Sequence, residues 1–568
     1  MGRIFLVLTV GLILTTFFIK SQAAHNGVLQ LYYTGDEGTR AIESVYFALN
    51  GDSYNEMSKA QYWLDIHPPF DKIYRGTILK GIYFLEMRFI TLIEWAQHFA
   101  NFQFLLLLSA FAIFFSASWG WPHAFWPVVL LAGSQAFSHV GVRIIGENNA
   151  GLFYGLSLLS LSRVFFSQSS LPMDKERFWI LLSAALMLVT TLFRSEAVLT
   201  LPGICLCLWI FRTFKLAFLY GLVASIYTVG KIVIAKLFFP EVVQYTGAKK
   251  VWNYASYSFS DFLRTPYIQE FFLRDFHLIL SCVFFVFILF LVWISITKRP
   301  FLFRQGLWIM LACALSYFLS VSTLAMSGHT LTQRRMIIFF CIPWAIFLGV
   351  FFKKIFAKEK VWIKTISVLA AVLLCSQAFS NVSLILDEQK KMLPKDIPVL
   401  QKWIETNISY DKKIAFDYLY YWEWILRAHF AEFRKMDDMC AYQGCPLLIS
   451  PSEEEALKKK IEVTWPGISE QNAIDHLRMH QFFLKNQPLY FVGLDKKEGQ
   501  KMASVHKGMS LYSFVKSYPL VSQTKDEEVY ELPYLEGIQI AITPIVEFSP
   551  YQVYLLTIKN PEKNASRK

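Results

Sequence analysis

The chain has 568 residues, of which 55% are hydrophobic and only 17% charged, with a formal net charge of +12. Soluble domains carry about 25% charge, and 52 Phe is far more than one soluble core needs. Apolar runs long enough to cross a bilayer recur along the chain, which excludes an ordinary soluble enzyme. Lys and Arg gather in short loops between those runs, so the basic balance is topological and does not point to nucleic acid as a partner.

In chain order, "MGRIFLVLTVGLILTTFFIKSQAA" reads as an uncleaved first span, with a cleaved signal peptide as the alternative. Residues 21–98 are mostly polar with amphipathic helical stretches, and "FLLLLSAFAIFF" then begins a second span. Further spans are predicted near 123–142, 148–166, 178–194, 197–212, 216–238, 277–297, 306–325, 336–352 and 362–382. The expected total is about eleven.

With the N-terminus in the cytoplasm, the loops holding Lys175/Arg177, Arg212/Lys215, Lys298/Arg299/Arg304 and Lys353/Lys354/Lys358/Lys360 all fall inside, as the positive-inside rule requires. The 21–98 segment then lies outside. So do the turns near 143–147 and 194–196, the loops 239–276 and 326–335, and everything after about 383.

Composition changes after 383. Charge runs such as "EEEALKKK" alternate with strand-like segments, "KIAFDYLYY", "PLYFVGL", "IQIAITPIVEF" and "YQVYLLTI". The expected organisation is an α-helical multi-span membrane domain over 1–383 and a soluble α/β or α+β domain over 384–568 on the outer face. Cys205, Cys207, Cys282, Cys313, Cys341 and Cys375 lie in apolar runs and read as small core residues. Cys440 and Cys445, in "CAYQGC", are either a disulfide or two free thiols, depending on the compartment. No Cys/His spacing resembles a zinc site.

Ionisable residues at membrane depth are costly and tend to be functional. Here they collect on the outer face: Asp36 and Glu37 ("YYTGDEGTR"), Asp65, His67 and Lys72 ("DIHPPFDK"), Arg143 and Glu147 ("GVRIIGENN"), Arg194 and Glu196 ("TLFRSEAVLTLP"), and His329, Arg334 and Arg335 ("SGHTLTQRR"). Each also has a plain structural reading. Asp36 can cap a helix, Pro68-Pro69 can break one, Arg194 and Glu196 can close a turn, and Arg334 and Arg335 can anchor to headgroups. Scattered structural residues should divide between the two faces, and these do not.

The combination resembles the GT-C superfamily of integral-membrane glycosyltransferases, in the branch of protein O-mannosyltransferases and lipid A aminoarabinose transferases. Asp36-Glu37 is similar to that branch's acidic pair after the first span. Asp65-Ile66-His67-Pro68-Pro69-Phe70-Asp71-Lys72 resembles the Asp-x-His-Pro-Pro-x-x-Lys signature of its first outer loop. Arg143 followed by Glu147, and Arg194-x-Glu196 before Leu201-Pro202, agree with it. The chain has no room for the β-trefoil insert of protein O-mannosyltransferases.

The resemblance implies a GT-C fold and a polyprenyl-phosphate sugar donor in the membrane lipids. The acceptor is left open between lipid, glycan and protein. Asp36 would act as general base with Glu37 beside it. Lys72, Arg143, Arg334 and Arg335 would hold the donor phosphate. Asp65, His67, Glu147, Arg194, Glu196 and His329 would position the loop or the acceptor. The carboxylates and His67 also offer ligands for a divalent cation, Mg, Mn or Zn. The expected location is a bacterial inner membrane with the site on the periplasmic side. A flippase or other transporter of a lipid-linked glycan is the alternative from another class, and an O-antigen ligase, polymerase or oligosaccharyltransferase the alternative within glycan chemistry.

Overall fold

The computed structural model describes residues 2–25, 44, 47–48, 70–83, 89–134, 146–166, 172–238, 301–326, 338–356, 361–392, 397–409, 412, 414–416, 439–441, 455–456, 458–459, 462–463, 489–494, 519–531, 539–548 and 551–559. The chain divides into two compact units, one made of 1–28, 43–87 and 92–390, the other of 29–42, 88–91 and 391–568.

The helices of the first unit are α1 (Gly2–His25), α2 (Phe70–Tyr83), α3 (Phe89–Trp119), α4 (Trp121–Gly133), α5 (Gly146–Phe165), α6 (Met173–Phe193), α7 (Leu201–Phe211), α8 (Phe214–Phe238), α9 (Phe301–Met326), α10 (Ile338–Phe356) and α11 (Val361–Met392). A 3-10 helix, Ser195–Thr200, joins α6 to α7. Among the described residues, Gly2–Gln22, Trp95–Trp119, Met173–Phe193 and Phe214–Ile234 are long and apolar enough to cross a membrane. Ser195–Phe211, Gln305–Ser320, Ile338–Phe347 and Val368–Asn381 are shorter apolar helices. The expected span at 277–297 lies outside the described residues.

Helix α8 shows what surrounds the bundle. Ala217, Tyr220 and Ala224 are buried on one face, while Phe214, Phe218, Leu222, Ile226 and Val229 stand exposed on the other. A stripe of large apolar side chains at helical spacing is a surface for lipid, and the protein is an integral membrane protein.

Two helices differ from the sequence reading. Helix α3 begins at Phe89, well before Phe104, because Gln97, Asn101 and Gln103 point into the bundle and are buried there. Polar side chains on the inner face lower the hydropathy of a run without exposing it. Helix α4 has 13 residues, about 20 Å, and the remainder of the expected 123–142 run lies outside the described residues. It starts after Gly120, whose φ of 93° lies in the left-handed region that glycine occupies without a Cβ clash.

Lipid tails are as apolar as Leu, so hydrophobic burial alone does not pull these helices together. Close packing and interhelical hydrogen bonds do. Helix α5 carries small residues toward its neighbours: a Cβ on Gly155 would lie 2.3 Å from Leu107 of α3. Ser157 Oγ donates to the Ser183 carbonyl at 2.8 Å, and the Ser183 hydroxyl meets Tyr220 of α8 at 3.2 Å. Bonds of this kind are worth about 0.6 kcal/mol each in a membrane. At the far end of α6, Arg212 pairs with Glu176, donates to Gln305 at 2.7 Å and lies 4.6 Å from the Phe165 ring centroid. One guanidinium thus ties the ends of α5, α6, α7 and α9.

The second unit opens with helix α12 (Ile397–Asn407). Its strands are β1 (Ile414–Phe416), β2 (Met439–Ala441), β3 (Leu489–Leu494), β4 (Leu520–Gln523), β5 (Glu528–Glu531), β6 (Gln539–Phe548) and β7 (Tyr551–Lys559). They form one mixed sheet in the order β2-β1-β3-β7-β6-β5-β4. β1 is parallel to β2 and β3, and the remaining neighbours are antiparallel. All four strand-like sequence segments contribute strands. β2, β4 and β5 escaped the reading because three- and four-residue strands leave too little alternation. Pro544 in β6 has no N–H to give the ladder, and the register shifts between Pro544 and Val546. α12 packs on the sheet through Trp403, 6.2 Å from Phe548. Cys440 lies in β2, and Cys445 is outside the described residues.

Candidate active site

Helix α2 is the element around which the described part of the site is built. It follows Pro68-Pro69 directly and starts at Phe70, where a preceding proline has no helical N–H to lose. Asp71 in its first turn faces the positive end of the helix dipole. Phe70 and Tyr74, one turn apart, form an aromatic stripe. Asp71 and Arg75, also one turn apart, form a polar stripe beside it.

The aromatic stripe docks on the end of α6. The Phe193 ring centroid is 5.0 Å from Phe70 and 5.3 Å from Tyr74. The next residue is Arg194, extended at φ −145°, ψ 105°, which ends α6 and starts the 3-10 helix. Arg194 is fully buried. Its Nη1 lies 3.6 Å from Glu196 Oε1, and Glu196 Oε2 has no hydrogen-bond partner among the described residues.

The polar stripe docks on α5 and α3. Arg75 Nη2 donates to Asp71 Oδ1 at 3.1 Å, and Asn149 Nδ2 on α5 donates to the same oxygen. Gln103 Nε2 on α3 donates in turn to Asn149 Oδ1. All four residues are at most 2% exposed, and Lys72 beside them is 7% exposed. An unaccompanied buried carboxylate is very costly, and here two donors share the charge. Burial pushes the Tyr74 phenol up from its ordinary range, with the Gln103 amide opposing. On its remaining side α2 meets the helical residues Ser44 and Phe47 at Gly76, where a Cβ would lie 2.7 Å from the Ser44 carbonyl oxygen.

Of the candidate residues read from sequence, Lys72 stands on α2, whose Phe70 and Tyr74 dock on Phe193 next to Arg194 and whose Asp71 meets Asn149 at the start of α5. Glu147 sits in the first turn of α5, with its side chain outside the described residues. Asp36, Glu37, Asp65, His67, Arg143, His329, Arg334 and Arg335 lie outside the described residues. The sequence reading did not single out Arg75, Gln103 or Asn149. The Asp-x-x-x-Arg spacing at 71 and 75, and amides within an otherwise apolar helix, were the available signals.

Among the described residues no three His, Cys, Asp or Glu side chains are grouped to hold a metal ion. The divalent cation considered from sequence would rest on Asp36, Glu37, Asp65, His67 and Glu147, whose side chains lie outside the described residues.

The chain thus combines a bundle of apolar helices with a mixed-sheet unit, and solved structures share that fold. The chain shares the fold of ArnT from Cupriavidus metallidurans. The crystal structure of ArnT bound to undecaprenyl phosphate matches over 97% of each chain with a TM-score of 0.55 at 13% identity. The apo structure matches over the same share at 0.56. At that identity the likeness is one of fold. No protein-family model matches the sequence, and no curated protein does.

Proposed function

We propose that the protein is an integral-membrane glycosyltransferase that moves a monosaccharide from a polyprenyl-phosphate donor to an extracytoplasmic acceptor, with inversion at the anomeric carbon. One observation carries this reading: the whole-length fold likeness to ArnT, a protein crystallised with undecaprenyl phosphate. The DIHPPFDK motif leading into a buried α2 supports it. So do the buried cations Lys72, Arg75 and Arg194, since a phosphate ligand is held by Lys and Arg.

In this reading the acceptor hydroxyl attacks the anomeric carbon, and Asp36 takes its proton. The bond from that carbon to the phosphate oxygen breaks, and polyprenyl phosphate leaves. A carboxylate of ordinary pKa is a weak base, but it accepts the proton late, once the hydroxyl has become acidic. Lys72, Arg143, Arg334 and Arg335 stabilise the leaving phosphate, and Glu37 positions the acceptor or the loop. Asp65, His67, Glu147, Arg194, Glu196 and His329 hold the surrounding loops. The Lys- and Arg-rich loops support a site and a sheet unit on the face away from the cytoplasm, which in a bacterial inner membrane is the periplasmic side.

The test is release of polyprenyl phosphate by purified protein from a panel of radiolabelled polyprenyl-phosphate monosaccharides, with cell-envelope extract as acceptor. Release from one donor, abolished in a folded Asp36→Asn variant, is expected. Near-normal turnover by that variant would remove Asp36 from the role of base. No release from any donor would overturn the reading.

A further inference from the structure

The chain Arg75→Asp71←Asn149←Gln103 links three helices, with Asn149 meeting Asp71 across 78 positions and Gln103 across 46. It is almost solvent-free. Apolar side chains of the same volume would hold α2 to the bundle at least as firmly, because burying an ion pair costs more than burying carbon. A directional network does something that apolar packing does not: it permits one rotation and one depth of the helix. Asp71 Oδ1 accepts from its own helix and from α5 at once, and both conditions hold together in a single orientation. Phe70 and Tyr74 on Phe193 pin the neighbouring stripe. Lys72 lies between these constraints in the chain, and the Asp65-to-Pro69 segment is joined covalently to the helix start.

We infer that Asn149 and Gln103 are positioning residues of the transferase. They hold Asp71, and through it Arg75, so that α2 presents Lys72 to the donor phosphate in a fixed place. This rests on the reading under Proposed function. Asn149 and Gln103 touch neither sugar nor phosphate. Their contribution is to donor capture through Lys72, so loosening them weakens donor binding more than it slows the bound complex.

The test uses full-length protein in nanodiscs, with three readouts: donor KM against kcat, binding of undecaprenyl phosphate, and thermal unfolding. Asn149→Asp sets a second carboxylate against Asp71 at constant volume. At least a tenfold rise in donor KM and a matching loss of undecaprenyl phosphate affinity are expected, with kcat within about threefold. The swap of Asp71→Asn with Asn149→Asp restores one carboxylate facing one amide. It is expected to bring KM and affinity back to within about threefold of wild type.

A folded Asn149→Asp protein with wild-type KM and affinity overturns the inference. So does a folded swap variant that recovers neither. If the single variant does not fold, the swap decides alone, against Gln103→Leu, which should raise KM without lowering kcat. Wild-type protein that binds undecaprenyl phosphate yet transfers no sugar overturns the proposed function only, and the inference is then decided by the binding measurements. Wild-type protein that neither binds nor transfers overturns both.

Discussion

A Cβ on Gly203 would lie 2.2 Å from the carbonyl oxygen of Ala312, closer than any side chain can approach. Helices α7 and α9 therefore meet backbone to backbone at Gly203. Gly203→Val has no flexible neighbour to displace. It should cost at least the 1–3 kcal/mol typical of overpacking, roughly, read as a lowered Tm in detergent. Wild-type stability for this variant would show that α7 and α9 are not in register as described.

Gly76 makes a similar approach to Ser44 and Phe47, but its consequence is functional. Residues 44–48 follow the Asp36-Glu37 pair closely in the chain, so pushing them off α2 disturbs the proposed base. Gly76→Val should lower kcat at least tenfold while Tm falls by only a few degrees. Equal loss of folded protein and of activity would instead make Gly76 a stability position.

Glu196 faces a buried Arg194 at 3.6 Å. Glu196→Gln keeps the shape and removes the charge, leaving the guanidinium without this counter-ion in a dry turn. The expected result is a loss of about 1–3 kcal/mol in stability and at least a tenfold loss in transfer by the protein that folds. Full transfer activity in a destabilised variant would assign the pair to the fold alone.

Arg212 provides the contrast. It lies at the other end of α6, about 27 Å along the helix from Arg194, where it meets Glu176, Gln305 and Phe165. Arg212→Ala should cost about 2 kcal/mol, the range of a hydrogen bond to a charged group, seen as a lower Tm. Activity per folded molecule should stay within about twofold of wild type. A large fall in kcat would mean that the two ends of the bundle are coupled.

The sequence alone was sufficient for the class of the protein. Long apolar runs and strand-like segments such as "YQVYLLTI" are legible from local composition, so the apolar helices and β1, β3, β6 and β7 follow from residue order, while β2, β4 and β5 do not. The Arg194-x-Glu196 turn was visible for the same reason: two charges between apolar runs have little room to be anywhere else. The early start of α3, the single-residue break at Arg194 and the Asp71–Arg75–Asn149–Gln103 chain were decided by the tertiary structure. Gln103 and Asn149 look like ordinary polar residues until their partners are in place, because the energy of a buried amide depends on the atom it donates to and not on its neighbours in sequence. Periodicity determines which face a residue takes; only packing across 78 positions determines that Asn149 meets Asp71 there.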